Sequence, residues 1–258
     1  EAIAISTADK TVQLRDVDTG VVTTEPYDKL VLAPGAASIR PPIPGIDRPG
    51  VFALRTVPDA RQIREWIERG TSFLVGMERY SGFQTVRPPM CAVVVGGGFI
   101  GLETAENLAR RGFEVTVSEM ADQVLGPLDP EYGQLAGDYL ENYGVNVVTG
   151  DGVASIEPGE HETLRVTTRS GVSYKADIVT LGLGVRPDTT LAEMAGLEIG
   201  ELGGIRVDDH MRTSDPDVHA VGDAVEVRDV VTGEWSLIAL AGPANRQGRI
   251  AADVIAGR

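Results

Sequence analysis

The sequence predicts an α/β protein in which a strand–turn–helix–strand unit is followed by a meander of short strands. Three observations carry that reading. A buried-strand pattern at Cys91–Val95 leads through a glycine-rich turn (96–101) into a helical stretch over 102–111 and a second strand at Glu114–Ser118. That succession is the unit from which parallel sheets are built. Behind it, short β-forming segments alternate at 153–157, 163–168, 172–174 and 178–181. The chain's 258 residues are long for one domain and comfortable for two.

Taken in order, segments 2–6, 11–17 and 21–24 read as strands, the last two joined by Asp18-Thr19-Gly20, a hairpin signal. Residues 27–33 (YDKLVLA) form a further strand that ends at Pro34-Gly35. The proline-rich run 34–45 can be neither helix nor central strand, so it is expected to cross the surface as a connection. A domain junction is placed just after it, near residues 56–58. Residues 59–69 have helical spacing, with Ile63, Trp66 and Ile67 on one side, Asp59 as N-cap and Gly70 as stop. Within 71–90, Phe73-Leu74-Val75 has the character of a short strand, while 79–82 and 87–89 read as loop. Further on, a helix is expected over 128–143 and a strand over 145–148. The tail adds strands at 205–207 and 218–221 and a helix over 243–256.

Composition excludes several classes of function. Lys and Arg number 23 against 38 Asp and Glu, a net charge of −15. That balance argues against nucleic acid and anionic membranes as partners. A single cysteine, Cys91, excludes an internal disulfide and any multi-cysteine metal site. His161, His210 and His219 lack zinc-ligand spacing, so no metal is expected. The longest nearly apolar run, 91–102, is too short to span a bilayer, and the opening residues show no basic region followed by an apolar block, so no signal peptide is read there. The composition points to a soluble, cytoplasmic, acidic protein. The opening Glu1-Ala2-Ile3-Ala4-Ile5 reads like the interior of a strand, as though the start were cut.

The turn Gly96-Gly97-Gly98-Phe99-Ile100-Gly101 fits G-x-G-x-x-G in the context that pattern needs: after a strand, opening a helix, before a second strand. Gly96 permits the tight turn, Gly98 admits a pyrophosphate against the backbone, and Gly101 lets helix and strand pack closely. The helix N-terminus offers free N–H groups and partial positive charge to the diphosphate. Glu119 lies 23 residues after Gly96, where a carboxylate accepts the ribose hydroxyls and repels a 2′-phosphate. No Lys or Arg follows between residues 120 and 143, so NADH is expected over NADPH.

Five segments then resemble one family. Residues 96–108 (GGGFIGLETAENL), 27–36 (YDKLVLAPGA), 184–189 (GVRPDT), 213–224 (TSDPDVHAVGDA) and 240–252 (LAGPANRQGRIAA) are similar to the pyridine nucleotide–disulfide oxidoreductases. Within that family the similarity is greatest to the coenzyme A-disulfide reductase, NADH oxidase and persulfide reductase branch. The resemblance implies a three-layer, Rossmann-like NAD domain inserted in a partial FAD domain of similar fold. On that template, 1–57 and 188–258 belong to the FAD-binding domain and 58–187 to the NAD(H)-binding domain. The stretch 71–90 stands outside the resemblance as an insertion.

The resemblance also implies roles, residue by residue. Phe99 matches the aromatic over the flavin that swings aside for nicotinamide, and Glu103 the glutamate that contacts the carboxamide; Ile100 lies between them. Gly182, Gly184 and Arg186 match the turn beside NADH. Ala33, Pro34 and Gly35 match a turn near the FAD diphosphate. Gly222 and Asp223 match the site of a ribityl hydroxyl, and Leu240 and Ala241 the entry to a helix aimed at the flavin. The cofactors implied are NAD(H) and FAD.

Two family features are missing from this sequence: the first glycine fingerprint, for the ADP part of FAD, and the redox-active cysteine. Cys91 reads as a buried small residue of a strand rather than a reactive thiolate. The family also continues into a dimerisation domain. The chain is therefore expected to be a central fragment of a homodimeric flavoenzyme that passes electrons from NADH to a small-molecule disulfide, persulfide or oxygen. Two other functions compete with it. A stand-alone NAD-dependent dehydrogenase needs an acid–base residue that the three histidines do not evidently supply. A non-catalytic NADH-binding module needs only the glycine turn.

Overall fold

The computed structural model describes residues 1–81 and 90–258, with only the course of the helix described over 70–81. The chain opens with an antiparallel sheet of β1 (Ala2–Ser6), β2 (Thr11–Arg15) and β3 (Val22–Pro26). The turn joining the last two is closed by the Asp16 carboxylate, which accepts the N–H groups of Asp18 at 3.1 Å and Thr19 at 2.7 Å. Next, β4 (Leu30–Leu32) occupies only the middle of the strand expected over 27–33. A short β5 (Ala36–Ser38) interrupts the proline-rich run that the sequence marks as connection throughout.

A continuous stretch then builds the second architecture. In chain order come β6 (Val51–Ala53), α1 (Val57–Ser81), β7 (Cys91–Val95), α2 (Phe99–Arg110) and β8 (Glu114–Ser118). They are followed by α3 (Pro130–Asn142) and β9 (Asn146–Val148). The meander β10 (Val153–Pro158), β11 (Leu164–Thr168) and β12 (Ser173–Ala176) precedes β13 (Ile178–Leu181). Strands β6, β13, β7, β8 and β9 lie side by side in that order, every pair parallel. The connections through α2 and α3 are the βαβ crossovers that the glycine turn led one to expect.

Alternation along β7 explains the layering. Val93 and Val95 face one side, packed with Val179 and Leu181 against Val153, Ile156 and Val166 of the meander. Ala92 and Val94 face the other, packed with Val117 and Ile178 against Ala105 and Leu108 of α2 and Leu140 of α3. Helices, parallel sheet and meander therefore make three layers, and the expected Rossmann-like class is the one observed.

Two expectations are corrected here. The helix expected to stop at Gly70 runs on to Ser81, so Phe73-Leu74-Val75 is helical and not a strand. No proline falls between residues 59 and 81. A lone glycine costs a helix interior only about 1 kcal/mol, which does not end it. The segment 79–82 read as loop is helical as far as Ser81, and 82–89 lie outside the described residues. Second, β13 is not the last strand of the meander. All four of its residues are buried, as both faces of a central parallel strand require, whereas β11 alternates buried and exposed positions.

The chain returns through β14 (Val185–Pro187), which pairs with β5, then α4 (Thr190–Met194) and β15 (Ile205–Arg206). It ends in β16 (Val218–Ala220), a 3₁₀ turn (Gly222–Ala224), β17 (Val225–Arg228), β18 (Trp235–Leu237) and α5 (Ala241–Ile255). The last two strands, a short 190–194 helix and the 3₁₀ turn are elements the sequence reading does not contain. Strand β16 pairs in parallel with β4, in the register Leu32↔Ala220. Their core gathers Leu32, Ile205, Val207, Val218, Ala220 and Ala251.

By contacts the chain separates into an inner unit, Ser38–Gly184, and an outer unit made of Glu1–Ala37 and Val185–Arg258. Residues 38–57, placed by sequence with the outer part, pack within the inner unit. Val51 of β6 pairs with Val179, Pro44 accepts the Ile156 N–H at 2.8 Å, and Arg48 Nε donates to Ile156 O at 3.2 Å. The second crossing falls at 184/185 rather than 187/188.

Candidate functional site

In the inner unit the glycine turn leaves the carboxyl end of β7, between neighbours β13 and β8. This is the point at which strand order reverses, where parallel sheets open a crevice for ligands. The three fingerprint glycines have separate physical reasons. Gly96 sits at φ +104°, a conformation other residues rarely adopt, and a Cβ there would lie 2.5 Å from Gly182 O. A Cβ on Gly101 would lie 1.9 Å from Gly96 O. At Gly98 the nearest atom to a Cβ is Gly182 O at 3.9 Å, so that side of the turn is open. Fold alone accounts for Gly96 and Gly101. It does not account for Gly98, whose missing side chain leaves space for something else.

Helix α2 starts at Phe99 with Gly98 as N-cap and no side-chain cap, so its first-turn N–H groups have no partner from a capping side chain. The expected start at residue 102 is thus three residues late, and Phe99, Ile100 and Gly101 belong to the helix. Phe99 is 54% exposed at the head of the helix. One turn on, Glu103 lines an open groove of about 310 Å³ with Leu54, Ile63, Ile67, Ile100 and Arg111.

Glu119 stands just beyond β8, and its carboxylate is already engaged. Its Oε2 accepts the Gly97 N–H at 2.6 Å and its Oε1 the Ala121 N–H at 2.8 Å. The residue therefore ties the end of β8 to the glycine turn, and each oxygen keeps a second lone pair for a ligand. Val124, absent from the sequence reading, seals the turn: a Cβ on Gly97 would lie 2.8 Å from its Cγ1, and the Leu125 N–H donates to Gly97 O at 2.9 Å. Gly182 packs against the same turn, since a Cβ there would lie 2.7 Å from the Gly101 Cα, and its N–H donates to Val95 O. Gly184 is exposed, and its carbonyl accepts the Ile39 N–H at 3.1 Å.

The outer unit brings two of its expected turns to one end of a strand pair. Because β4 and β16 are parallel neighbours, the turn Ala33-Pro34-Gly35 and the turn Gly222-Asp223 leave at the same carboxyl end. Gly222 has φ +83° and donates its N–H to Gln247 Oε1 of α5 at 2.7 Å. Leu240 is the N-cap of that helix and Ala241 its first residue, two positions earlier than the sequence places its start.

Cys91 is half-buried rather than a core residue. Its N–H donates to Asp177 Oδ2 at 2.7 Å, and burial with Asp177 nearby pushes the thiol pKa up, away from a reactive thiolate. Of the histidines, His161 lies at φ +52° between β10 and β11, His210 is exposed, and His219 is buried in β16. Among the described residues, no three His, Cys, Asp or Glu side chains are grouped to hold a metal ion, and no helix is long and apolar enough to cross a membrane.

Residues 1–248 match the family described as pyridine nucleotide-disulphide oxidoreductase. A protein of Methanocaldococcus jannaschii named NADH oxidase is 41% identical over 232 residues, covering 90% of this chain and 47% of that protein. The crystal structure of reduced Bacillus anthracis CoADR-RHD superposes with TM-score 0.88 at 41% identity, covering 100% of this chain and 43% of that one. A NAD-dependent persulfide reductase from A. fulgidus superposes equally, TM-score 0.88 at 39% identity, covering 100% and 44%. The chain spans about half the length of the curated relatives it matches.

Proposed function

Because the chain belongs to the pyridine nucleotide-disulphide oxidoreductase family, we propose that it supplies the NADH site and part of the FAD site of a flavin-dependent oxidoreductase. Hydride transfer from NADH to FAD, with electrons passed on to a disulfide, persulfide or oxygen, is the chemistry these groups supply when bound. The observation that carries the reading is the open side of the turn at Gly98, set between two glycines the fold itself demands.

In the inner unit, the Gly98 backbone and the first-turn N–H groups of α2 receive the diphosphate. Glu119, held by the amides of Gly97 and Ala121, presents its remaining lone pairs to the adenosine ribose. Its charge disfavours a 2′-phosphate, so NADH is preferred to NADPH. Phe99 and Glu103 orient the nicotinamide, with Gly182 and Gly184 at the edge of its pocket. In the outer unit, the turns at Ala33-Pro34-Gly35 and Gly222-Asp223 and the α5 start at Leu240-Ala241 line the FAD side. The inner unit is then the NAD(H)-binding domain and the outer unit the FAD-binding domain. A cytoplasmic setting and a homodimeric whole protein are parts of the same proposal.

The visible spectrum of the purified chain tests it. A flavin band, bleached by NADH in the absence of oxygen, is the expected result. A folded protein that binds NADH with no flavin, before or after adding FAD, would instead leave a nucleotide-binding module.

A further inference from the structure

Gln247 is a buried amide in the middle of α5, 8% exposed and set among small residues. Buried amides keep hydrogen-bond partners, and this one accepts the Gly222 N–H at 2.7 Å. The preceding amide points the other way: Val221 donates to Leu32 O of β4 at 2.9 Å. Two successive backbone N–H groups thus clamp the end of β16 between a strand and a helix. Gly222 sits at φ +83°, and a Cβ on it would lie 3.9 Å from the Ala244 Cβ, one turn before Gln247 on the same helical face. Ala251, one turn after, is fully buried in the core. The face of α5 that carries Gln247 is therefore the one seated on this turn.

We propose that Gln247 is a positioning residue for flavin, fixing the Gly222-Asp223 turn in register with the start of α5. The inference rests on the FAD reading given above. One side-chain hydrogen bond joins two segments expected to touch the cofactor: the turn with Asp223 and the helix that begins at Leu240-Ala241. An amide suits the position because it accepts the N–H with no charge to desolvate, and from the helix it reaches a backbone group that no strand satisfies.

Two substitutions separate positioning from packing. Gln247→Met keeps length and volume but has no acceptor for Gly222, whereas Gln247→Glu keeps an acceptor. FAD affinity would be read by flavin-fluorescence titration of the 258-residue chain, and Gly222 amide exchange by NMR without ligand. We expect Gln247→Met to speed Gly222 exchange and weaken FAD about tenfold, a loss the size of one buried hydrogen bond. Gln247→Glu should restore both within about threefold in mild acid, where the buried carboxyl is protonated and its carbonyl oxygen still accepts, and lose ground as rising pH forces a charge into the site. A merely structural role would lower both variants' melting temperatures alike while leaving FAD affinity unchanged well below melting, and that result overturns the inference. Unaltered Gly222 exchange in Gln247→Met overturns it as well. If exchange responds as expected but the unsubstituted chain takes up no FAD, the clamp is real and the flavin reading is what fails.

Discussion

The two units place their candidate sites alike and encode them differently. Each puts its site at the carboxyl ends of parallel strands, β7 in the inner unit and the β4–β16 pair in the outer. In the inner unit the turn, the helix and Glu119 follow one another along a single βαβ unit. In the outer unit the turn after β4 and the turn after β16 come from opposite ends of the chain and meet only through the fold. A local site can be read from spacing, because every requirement falls within one window. A site assembled from distant segments has no spacing to read.

The largest effects are expected where that contrast is sharpest, at neighbouring glycines with opposite reasons for being glycine. Gly101→Val must place a side chain within a carbonyl's contact radius of Gly96 O, so the inner unit should lose about 4 kcal/mol or more in denaturant unfolding. Gly98→Val meets open space, at a backbone φ of −79° that any residue accepts. It should fold normally and lose NADH affinity by about a hundredfold or more, about 3 kcal/mol. Retained NADH affinity in folded Gly98→Val would show the turn to be structural only and would erase the distinction.

Next in size is the outer unit's buried ion pair. Glu226 is fully buried in β17, accepting from Arg206 Nη2 at 3.0 Å and from the Leu202 N–H at 3.0 Å. The carboxylate fills the space that Gly200 leaves, and the Arg206 guanidinium lies 4.2 Å over the Trp235 ring. Removing one partner strands a buried charge, so Arg206→Met should cost about 3 kcal/mol by equilibrium unfolding. The double change Arg206→Met with Glu226→Leu should recover most of that loss, since no charge then remains to desolvate. The inner unit's sheet has no such pair among its described core residues, which are apolar apart from Ser118, Thr168 and Thr180.

Cofactor preference sits below these. Glu119→Arg removes a carboxylate that holds two backbone amides as well as one expected to meet ribose, so it should weaken NADH and shift preference toward NADPH about tenfold. Glu119→Gln keeps an acceptor for one amide and carries no charge, so it should lose discrimination with a smaller loss of NADH affinity. Titrations of all three proteins with both dinucleotides separate the two contributions. An unchanged preference in Glu119→Arg would move the ribose pocket elsewhere.

How much of this was legible in the sequence follows the same division. The βαβ unit, its glycine turn and Glu119 were readable because strand, turn and helix signals coincide there. The departure of Ile178–Leu181 from the meander was not read: four consecutive apolar or β-branched residues suit a central parallel strand, but the place of β13 between β6 and β7 is set by pairing with segments far away in sequence. The continuation of α1 past Gly70 was hidden, since a glycine that stops a helix and one tolerated in its interior look alike in sequence. Seating residues 38–57 in the inner unit needed β6, three residues whose pairing with β13 lies far away in sequence. The clamp by Gln247 was hidden for the same reason. Its one local clue is a polar residue on the α5 face shared with Ala244 and Ala251.

The smallest effect expected is a pH dependence confined to the outer unit. His219 is 1% exposed in β16, and neither ring nitrogen has a hydrogen-bond partner among the described residues. Burial lowers its pKa from 6.5; the nearby Lys29 and Arg212 add to that, and Asp208 and Asp217 oppose it. The folded state therefore keeps the ring neutral where the unfolded chain begins to take up a proton. Stability is complete above about pH 6.5 and falls as the pH drops from there toward the lower folded value. The loss should be read as a melting temperature of the outer unit that falls as the pH drops below about 6.5. His219→Phe keeps an aromatic ring in the strand and removes the titration, so its melting temperature should stay flat over the same interval. A slope that persists near pH 6 in His219→Phe would remove His219 as its source, whereas a loss confined to below pH 4 belongs to Asp217. Its carboxyl, paired with Lys10 and Lys29, is held down at about 2, so its contribution should fade only below pH 4.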